Sequence, residues 1–207
     1  MKYIDLTHTF TDNMPVVPGD PATSLKQITT IEKNGYTDHL LTTVMHVGTH
    51  LDAPLHMIPG GKYIDEMPVE HFVGPGVVID VRGKNLIDET VLIGSNVRTG
   101  SILLLYTGMS EQFRTDTYNT AYPRISESFA KAVVDAGVKI IGIDMLSPDI
   151  EETFPVHKIL LSKEVLIIEN LTNLESLIGV KNFEVLAFPM KLHAEAAPVR
   201  VVARIPN

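Results

Sequence analysis

The residues from 46 to 56 read HVGTHLDAPLH and constrain the fold of this chain more than any other feature. Three histidines and one aspartate fall on even-numbered positions, whereas most odd-numbered positions are apolar. Successive side chains of an extended strand point to opposite faces. One face would therefore carry His46, His50, Asp52 and His56, and the other would enter the core. Nitrogen and oxygen donors grouped in this way indicate a site for a zinc-like or manganese-like ion.

A straight strand cannot bring these side chains to one ion. At a rise of roughly 3.3 Å per residue, His46 and Asp52 would lie about 20 Å apart, whereas metal–ligand bonds are about 2.0–2.2 Å long. The segment must therefore curl. Gly48 can take backbone angles that other residues avoid, and Pro54 ends ladder pairing, so both stand where a curl needs them. A helix is disfavoured because glycine, proline and β-branched residues interrupt the segment.

Composition excludes several classes of protein and site. The chain has 207 residues, 44% of them hydrophobic, and we expect residues 1–207 to form a single domain. A net charge of −8 without any basic run argues against nucleic-acid binding. Because cysteine is absent, nitrogen and oxygen donors must hold any metal. The apolar runs are too short to span a bilayer and the N-terminus lacks a signal-peptide core, which predicts a cytoplasmic protein without a membrane partner.

Short apolar runs separated by turn signals predict an α/β fold that is rich in strands, with a few helices on a mixed sheet. Predicted strands cover residues 3–6, 25–31, 39–45, 77–81, 102–106, 139–144, 165–169, 183–191 and 198–205. Predicted helical segments cover residues 126–136, 155–161 and 171–178, and predicted loops cover residues 12–21 and 54–68. Strands and helices do not alternate regularly, which disfavours a doubly wound sheet.

Two downstream residues are further candidates for the site. Glu169 ends an apolar run, and His157 lies at the start of a predicted helix. A carboxylate at the end of a buried strand is costly unless it is paired or bound to a cation, although Glu169 could instead begin a solvated loop. Asp144, with Ser147 nearby, could face the same cleft or cap a turn. The histidines that we interpret as structural or surface residues are His8, His39 and His71.

Several common catalytic motifs are missing from the chain. It contains no Walker A sequence, no G-x-G-x-x-G, no nucleophile elbow and no H-E-x-x-H. The usual phosphate-binding loops, the common serine-hydrolase arrangement and the zincin arrangement are therefore excluded.

The motif H-x-G-T-H-x-D-x-P-x-H, complete from His46 to His56, resembles the signature of the cyclase family of metal-dependent hydrolases, which includes bacterial kynurenine formamidase and isatin hydrolase. Further elements follow in the order of the family, so the resemblance covers nearly the whole chain. These elements are Pro18-Gly19-Asp20, Gly142-Ile143-Asp144, Ser147, His157 and Glu169. The resemblance implies a single-domain β/β/α architecture, in which a barrel-like mixed sheet has helices packed outside. It also implies a homo-oligomer, either a dimer or a tetramer.

The resemblance further implies a site and a reaction. One ion would be bound by His46, His50 and Asp52, a second would be bridged by Asp52 and Glu169 and bound by His157, and His56 would be the general acid/base. The cofactor would be one or two Zn²⁺ ions, or a single Mn²⁺. The reaction would be arylformamidase-like: hydrolysis of a carbon–nitrogen bond of a small molecule (amide, formamide or lactam) through a metal-activated water.

Some residues leave alternatives open. Val17 stands where the formamidases carry a tryptophan that lines the substrate site, so the natural substrate is not defined. In the C-terminal segment, His193 and Glu195 are interpreted as a solvated loop, the alternative being polar groups near the site. Two other functions compete with hydrolysis: a non-enzymatic metal- or metabolite-binding protein on the same scaffold, and an iron-dependent oxygenase that uses two histidines and one carboxylate.

Overall fold

A nine-stranded mixed sheet runs through the computed structural model, which describes residues 1–17 and 19–206. The strands of the described residues are β1 (Lys2–Asp5), β2 (Ser24–Thr29), β3 (Asp38–Thr42), β4 (His50–Asp52), β5 (Val73–Asp80), β6 (Leu86–Ile87), β7 (Ile102–Tyr106), β8 (Arg124–Ile125), β9 (Ile140–Ile143), β10 (Leu166–Glu169), β11 (Glu184–Leu186), β12 (Ala196–Pro198) and β13 (Val202–Ile205). The order in the sheet is β1-β13-β11-β5-β7-β9-β10-β4-β12, and β2–β3 and β6–β8 form separate two-stranded ribbons.

The centre of the sheet is parallel and fully covered. Strands β5, β7, β9 and β10 run parallel, whereas the outer pairs are antiparallel. Along β7, Leu103 and Leu105 join the core on one face, and Ile102, Leu104 and Tyr106 join the core on the other. A strand covered on both faces needs an apolar residue at every position, which is why this run reads ILLLY.

Two helices cover one face of the sheet. The helices of the described residues are α1 (Ile31–Asn34), α2 (Glu127–Asp135) and α3 (Pro155–Leu161). Helix α2 begins where the Ser126 hydroxyl accepts a hydrogen bond from the backbone N–H of Phe129, and it buries Phe129 and Val133 against the sheet. Helices α2 and α3 confirm the segments predicted at 126–136 and 155–161. No helix among residues 1–17 and 19–206 is long and apolar enough to cross a membrane.

The predicted fold class is confirmed: the sheet curls into a half-barrel in a mixed α/β architecture. Several predicted segments are shorter than expected or interrupted. The strand predicted at 39–45 ends at Thr42, and the one predicted at 198–205 is divided between β12 and β13, because the backbone N–H groups of Val199 and Val201 donate to Thr49 and Thr7. Residues 171–178 contain only a 3-10 turn at Leu174–Leu177, because Asn170 and Asn173 take left-handed backbone angles (φ 57° and 58°) that break a helix. The strand predicted at 183–191 ends at Leu186, before Pro189, which cannot donate to a ladder. Pro18, assigned to a predicted loop, lies outside the described residues.

The predicted curl around residue 50 is present. Gly48 has a φ of 62°, and a Cβ there would lie 2.8 Å from the methyl carbon of Met14. Strand β4 is only three residues long, and Pro54 then opens a 3-10 turn, Pro54–His56. Strand β4 pairs antiparallel with both β10 and β12. The bend therefore places the motif between β10 and β12, which are distant from it in the sequence.

Candidate metal centre

The pairing of β4 with β10 forms the base of the site. Glu169 lies directly opposite His50 in the ladder, and Asp52 follows two residues later on the same face. The Nε2 atom of His50 lies 3.3 Å from Oε2 of Glu169 and 3.4 Å from Oδ1 of Asp52. All three residues are buried. Two carboxylates and an imidazole are thus held together away from water.

Helix α3 adds His157 to this base. Its Nε2 atom lies 3.4 Å from Oε1 of Glu169 and 3.8 Å from Oδ2 of Asp52. Behind the ring, Nδ1 lies 2.7 Å from Oδ2 of Asp149, whose carboxylate also accepts the backbone N–H groups of Val156 and His157. Asp149 therefore caps the start of α3 and holds the His157 ring with Nε2 facing the other ligand candidates.

The other two histidines of the motif lie on the more open side. The Nδ1 atom of His46, in the loop before β4, lies 3.0 Å from Oδ1 of Asp52. His56, at the end of the 3-10 turn, packs against His46 with ring centroids 4.0 Å apart, and its ring centroid lies 5.6 Å from that of His157. The six residues predicted for the site thus lie in one cluster.

Hydrogen bonding tests whether a cation fits this cluster. Nδ1 of His50 is 2.8 Å from the carbonyl oxygen of Gly48, so a proton on Nδ1 leaves the Nε2 lone pair facing the carboxylates. In the described part of the chain, that Nε2 atom and both carboxylate oxygens of Asp52 are buried and form no hydrogen bond of good geometry, although Nδ1 of His46 lies 3.0 Å from Oδ1 of Asp52. Leaving such groups unpaired is costly, and a cation would satisfy all three.

The donor atoms also have suitable spacing. Two groups of donors lie mutually within 4.8 Å: one comprises His50, Asp52 and Glu169, the other His46, Asp52 and His56. Ligands about 2.1 Å from a tetrahedral ion are themselves roughly 3.4 Å apart, close to the separations between His50, Asp52 and Glu169. The residues therefore fit one or two divalent cations, and Asp52 belongs to both groups. Geometry alone leaves His56 able to bind a cation.

Charges within the cluster shift the pKa values of its buried residues in the direction opposite to burial. Burial would lower the pKa of His50, but the carboxylates of Asp52 and Glu169 outweigh it and raise that pKa to about 9. The pKa of His157 is likewise raised to about 10, because the pull of Asp149 and Glu169 exceeds the effect of burial. Burial would raise the pKa of Asp52, yet His50 and His46 hold it well below its usual range. Without a cation, these rings retain protons that balance the two carboxylates.

His56 differs from the histidines at the base. Burial lowers its pKa to about 4, because desolvation outweighs the attraction of Asp52. A ring with this pKa is neutral near pH 7 and can accept a proton.

The other candidate residues either contact parts of the chain outside the cluster or are exposed. The Asp144 carboxylate accepts hydrogen bonds from the backbone N–H groups of Thr107 and Gly108, so it holds the loop that follows β7 and not a turn in its own segment. His71 lies 3.0 Å from the carbonyl oxygen of Lys139, and His8 stacks on Phe113. His39 is exposed on β3, as is Val17 in its loop. The Ser147 hydroxyl accepts from the backbone N–H of Asp149.

The C-terminal segment divides into two environments. His193 is exposed, stacks on Tyr63 and pairs with Asp65, as expected for a solvated loop. Glu195 instead reaches the cluster, with Oε1 lying 3.4 Å from Nε2 of His46. Sequence reasoning missed Asp149 and did not favour this contact of Glu195. No local pattern marks either residue, because the N-cap position of α3 is Phe154 and the preference for acidic caps does not extend back to Asp149.

Comparison with known proteins identifies the family. The model of the cyclase family matches residues 4–150. A kynurenine formamidase of Salinibacter ruber is 30% identical over 99% of this chain and 98% of its own. A Bacillus stearothermophilus structure, described as a predicted metal-dependent hydrolase, is 30% identical with a TM-score of 0.78, covering 98% of this chain and 97% of its own.

A third comparison concerns the fold alone. Isatin hydrolase A of Labrenzia aggregata, 23% identical, superposes with a TM-score of 0.87 over 100% of this chain and 94% of its own. The family resemblance of the His46–His56 motif is thereby confirmed. Because the family model spans more than half of the sequence, this chain belongs to the cyclase family.

Proposed function

We propose that this chain is a metal-dependent hydrolase that cleaves a carbon–nitrogen bond of a small molecule, in an amide, a formamide or a lactam. The observation that carries the proposal is the set of buried, unpartnered donor atoms around Asp52. The relatives support it, since a full-length relative is a kynurenine formamidase. Residues 1–207 would act as one catalytic domain, and the cytoplasmic location stays a prediction.

Five residues would hold the cofactor: His46, His50, Asp52, His157 and Glu169. Their nitrogen and oxygen atoms suit Zn²⁺, as one or two ions, and Mn²⁺ is the alternative. When bound, such a cation lowers the pKa of a water molecule and polarises a substrate carbonyl. Asp52 would be the central ligand, because it belongs to both donor groups.

His56 is the residue that we assign to proton transfer. It lies beside His46 and His157, and its lowered pKa keeps it neutral near pH 7. A neutral imidazole can take a proton from the attacking water and pass it to the nitrogen that leaves as the carbon–nitrogen bond breaks. The amine product requires this proton, since an amide nitrogen leaves poorly as an anion.

The β2–β3 ribbon supports a homo-oligomer, either a dimer or a tetramer. A two-stranded ribbon on its own is marginally stable, yet this one and its connection expose several apolar side chains. The exposed residues are Ile28, Ile31, Tyr36, Leu40 and Leu41. A second copy of the chain would cover them. Sedimentation velocity tests this: the wild type should sediment as a dimer or larger, and a monomer at micromolar concentration would contradict it.

A substrate panel tests the hydrolase proposal. Metal-free protein would be reloaded with zinc or with manganese and assayed on formamides of aromatic amines, including N-formylkynurenine, on aryl lactams and on simple amides. We expect hydrolysis of at least one carbon–nitrogen substrate, lost on chelation while the far-UV circular dichroism spectrum is unchanged. A loaded, folded protein that binds a small carboxylic acid but hydrolyses nothing would instead support a non-enzymatic binding protein.

A further inference from the structure

Glu195 is held beside the metal centre by its backbone. Strand β12 begins at the next residue and pairs with β4, so that Ala196 lies opposite Asp52. The backbone N–H of Ala53 donates to the carbonyl of Glu195, and the N–H of Ile64 donates to the carbonyl of Ala194. The position of Glu195 is therefore fixed by the same sheet that fixes Asp52.

The two nitrogens of His46 face two different carboxylates. Nδ1 lies 3.0 Å from Oδ1 of Asp52, on the side of the cluster. Nε2 lies 3.4 Å from Oε1 of Glu195, on the opposite side of the ring. Since a neutral imidazole carries its proton on one nitrogen only, the ring can offer a lone pair to a cation at Nδ1 while Nε2–H faces Glu195.

The other two histidines show the same arrangement with the nitrogens reversed. His157 turns Nε2 towards the carboxylates and has Asp149 behind Nδ1, and His50 does so with the Gly48 carbonyl behind Nδ1. Each ring thus has an oxygen on the side away from the cluster, at 2.7 Å for His157, 2.8 Å for His50 and 3.4 Å for His46. Packing restrains the His46 ring least, because 21% of its side chain is exposed, against 4% for His157 and 1% for His50. The orientation of His46 therefore depends most on such an oxygen.

We propose that Glu195 is a positioning residue for His46, which accepts from Nε2–H and so fixes the tautomer and ring orientation that present Nδ1 to a cation shared with Asp52. This inference rests on the metal site of the proposed function. Acceptors behind metal-binding histidines typically change metal affinity by about 10- to 100-fold.

The test compares zinc affinity, measured by competition with a chromogenic chelator, in Glu195→Ala, Glu195→Gln and a control. Glu184→Gln is the matched control. Glu184 pairs with Arg204 towards the other end of the sheet, and its side chain is 34% exposed, similar to the 39% of Glu195. We expect about 10- to 100-fold weaker binding for Glu195→Ala. Glu195→Gln, which keeps an acceptor oxygen, should lose less, and the control should bind as the wild type does.

The histidine tautomer is the second readout. In zinc-loaded protein labelled with ¹⁵N-histidine, long-range ¹H–¹⁵N spectra should show His46 protonated at Nε2 and bound through Nδ1, and Glu195→Ala should broaden or shift this pattern. Zinc at Nε2 of His46, or wild-type affinity in Glu195→Ala, would overturn the inference while leaving the hydrolase proposal intact. A wild-type protein that binds no zinc would overturn both.

Discussion

The two sides of the candidate metal centre are built differently. The closed side consists of His50, Asp52, His157 and Glu169, whose side chains are at most 8% exposed. The open side consists of His46, His56 and Glu195, where 21% of His46 and 39% of Glu195 are exposed. The closed side comes from strands and a helix, whereas the open side comes from a loop, a 3-10 turn and the residue before β12.

This difference separates two tasks. Buried carboxylates must be neutralised, so the closed side is satisfied only by protons on His50 and His157 or by a cation. The open side can meet water and substrate, and it contains the one histidine of the cluster whose pKa is lowered to about 4, His56. We therefore expect substitutions on the closed side, and of the ligand His46, to remove the metal, and those of His56 and Glu195 to alter turnover or tune affinity.

The largest effect should come from Asp52→Asn. The change keeps the size of the side chain but removes the charge and one of the two oxygens that both donor groups share. We expect zinc affinity to fall by at least about 1,000-fold, with activity lost, since several kcal/mol of metal binding depend on each ligand. Inductively coupled plasma mass spectrometry after dialysis measures the zinc that the variant retains. Asp65→Asn, which affects only the exposed pair with His193, is the control. Retention of zinc by Asp52→Asn would remove the distinction between the two sides.

His56→Ala should affect turnover far more than metal binding. Removing a general acid/base typically lowers kcat by about 100-fold or more, whereas the closed side stays complete. Chelator competition and steady-state kinetics on the same preparation measure both quantities. Equal losses of metal and of kcat would mean that His56 is a ligand, a role its distance to His46 and Asp52 permits.

Asp149→Ala should have an intermediate effect on metal binding. Losing the acceptor behind His157 should weaken zinc binding by about 10- to 100-fold. In the metal-free protein, the variant loses both the hydrogen bonds to the first turn of α3 and the buried pair with His157. The free energy of unfolding, measured by urea denaturation, should therefore fall by more than the roughly 1 kcal/mol that a helix cap contributes. Wild-type affinity in this variant would show that packing alone orients His157.

The smallest expected effect is the release of protons when zinc binds. Without metal, His50 and His157 have pKa values of about 9 and 10, so both rings are protonated at pH 7. Zinc must displace these protons, and we expect release of about two protons per protein. Apparent affinity should therefore rise with pH below about 9 and level off above about 10. Calorimetry in buffers of different ionisation enthalpy measures the release. An affinity independent of pH between 6 and 9 would contradict protonated rings.

Local sequence predicted the parts of the site that one segment supplies. The spacing from His46 to His56 required a bend, and Gly48 provides it with a φ of 62°. Apolar runs located the strands of the buried sheet, because each run is covered on both faces. Position after an apolar run and at the start of a predicted helix made Glu169 and His157 candidates, and the family resemblance implied their roles. The structure places both beside Asp52, and the roles stay predictions.

The parts of the site that the sequence did not predict depend on contacts between distant segments. Glu195 reaches His46 only because β12 pairs with β4, and no residue near it signals that pairing. Asp149 accepts hydrogen bonds from the first turn of α3 and from the His157 ring, and neither role has a sequence pattern because Asp149 lies before the N-cap residue Phe154. The helical segment expected at 171–178 is reduced to the 3-10 turn Leu174–Leu177 because Asn173 adopts a left-handed angle, which a propensity scale does not anticipate.

The most direct test of the central claim is an anomalous difference map, recorded at the zinc absorption edge from crystals grown with zinc. We predict a peak within about 2.0–2.2 Å of Nε2 of His50 and of a carboxylate oxygen of Asp52. A map without a peak in this cluster, with the donor atoms paired to one another or to water, would contradict the account.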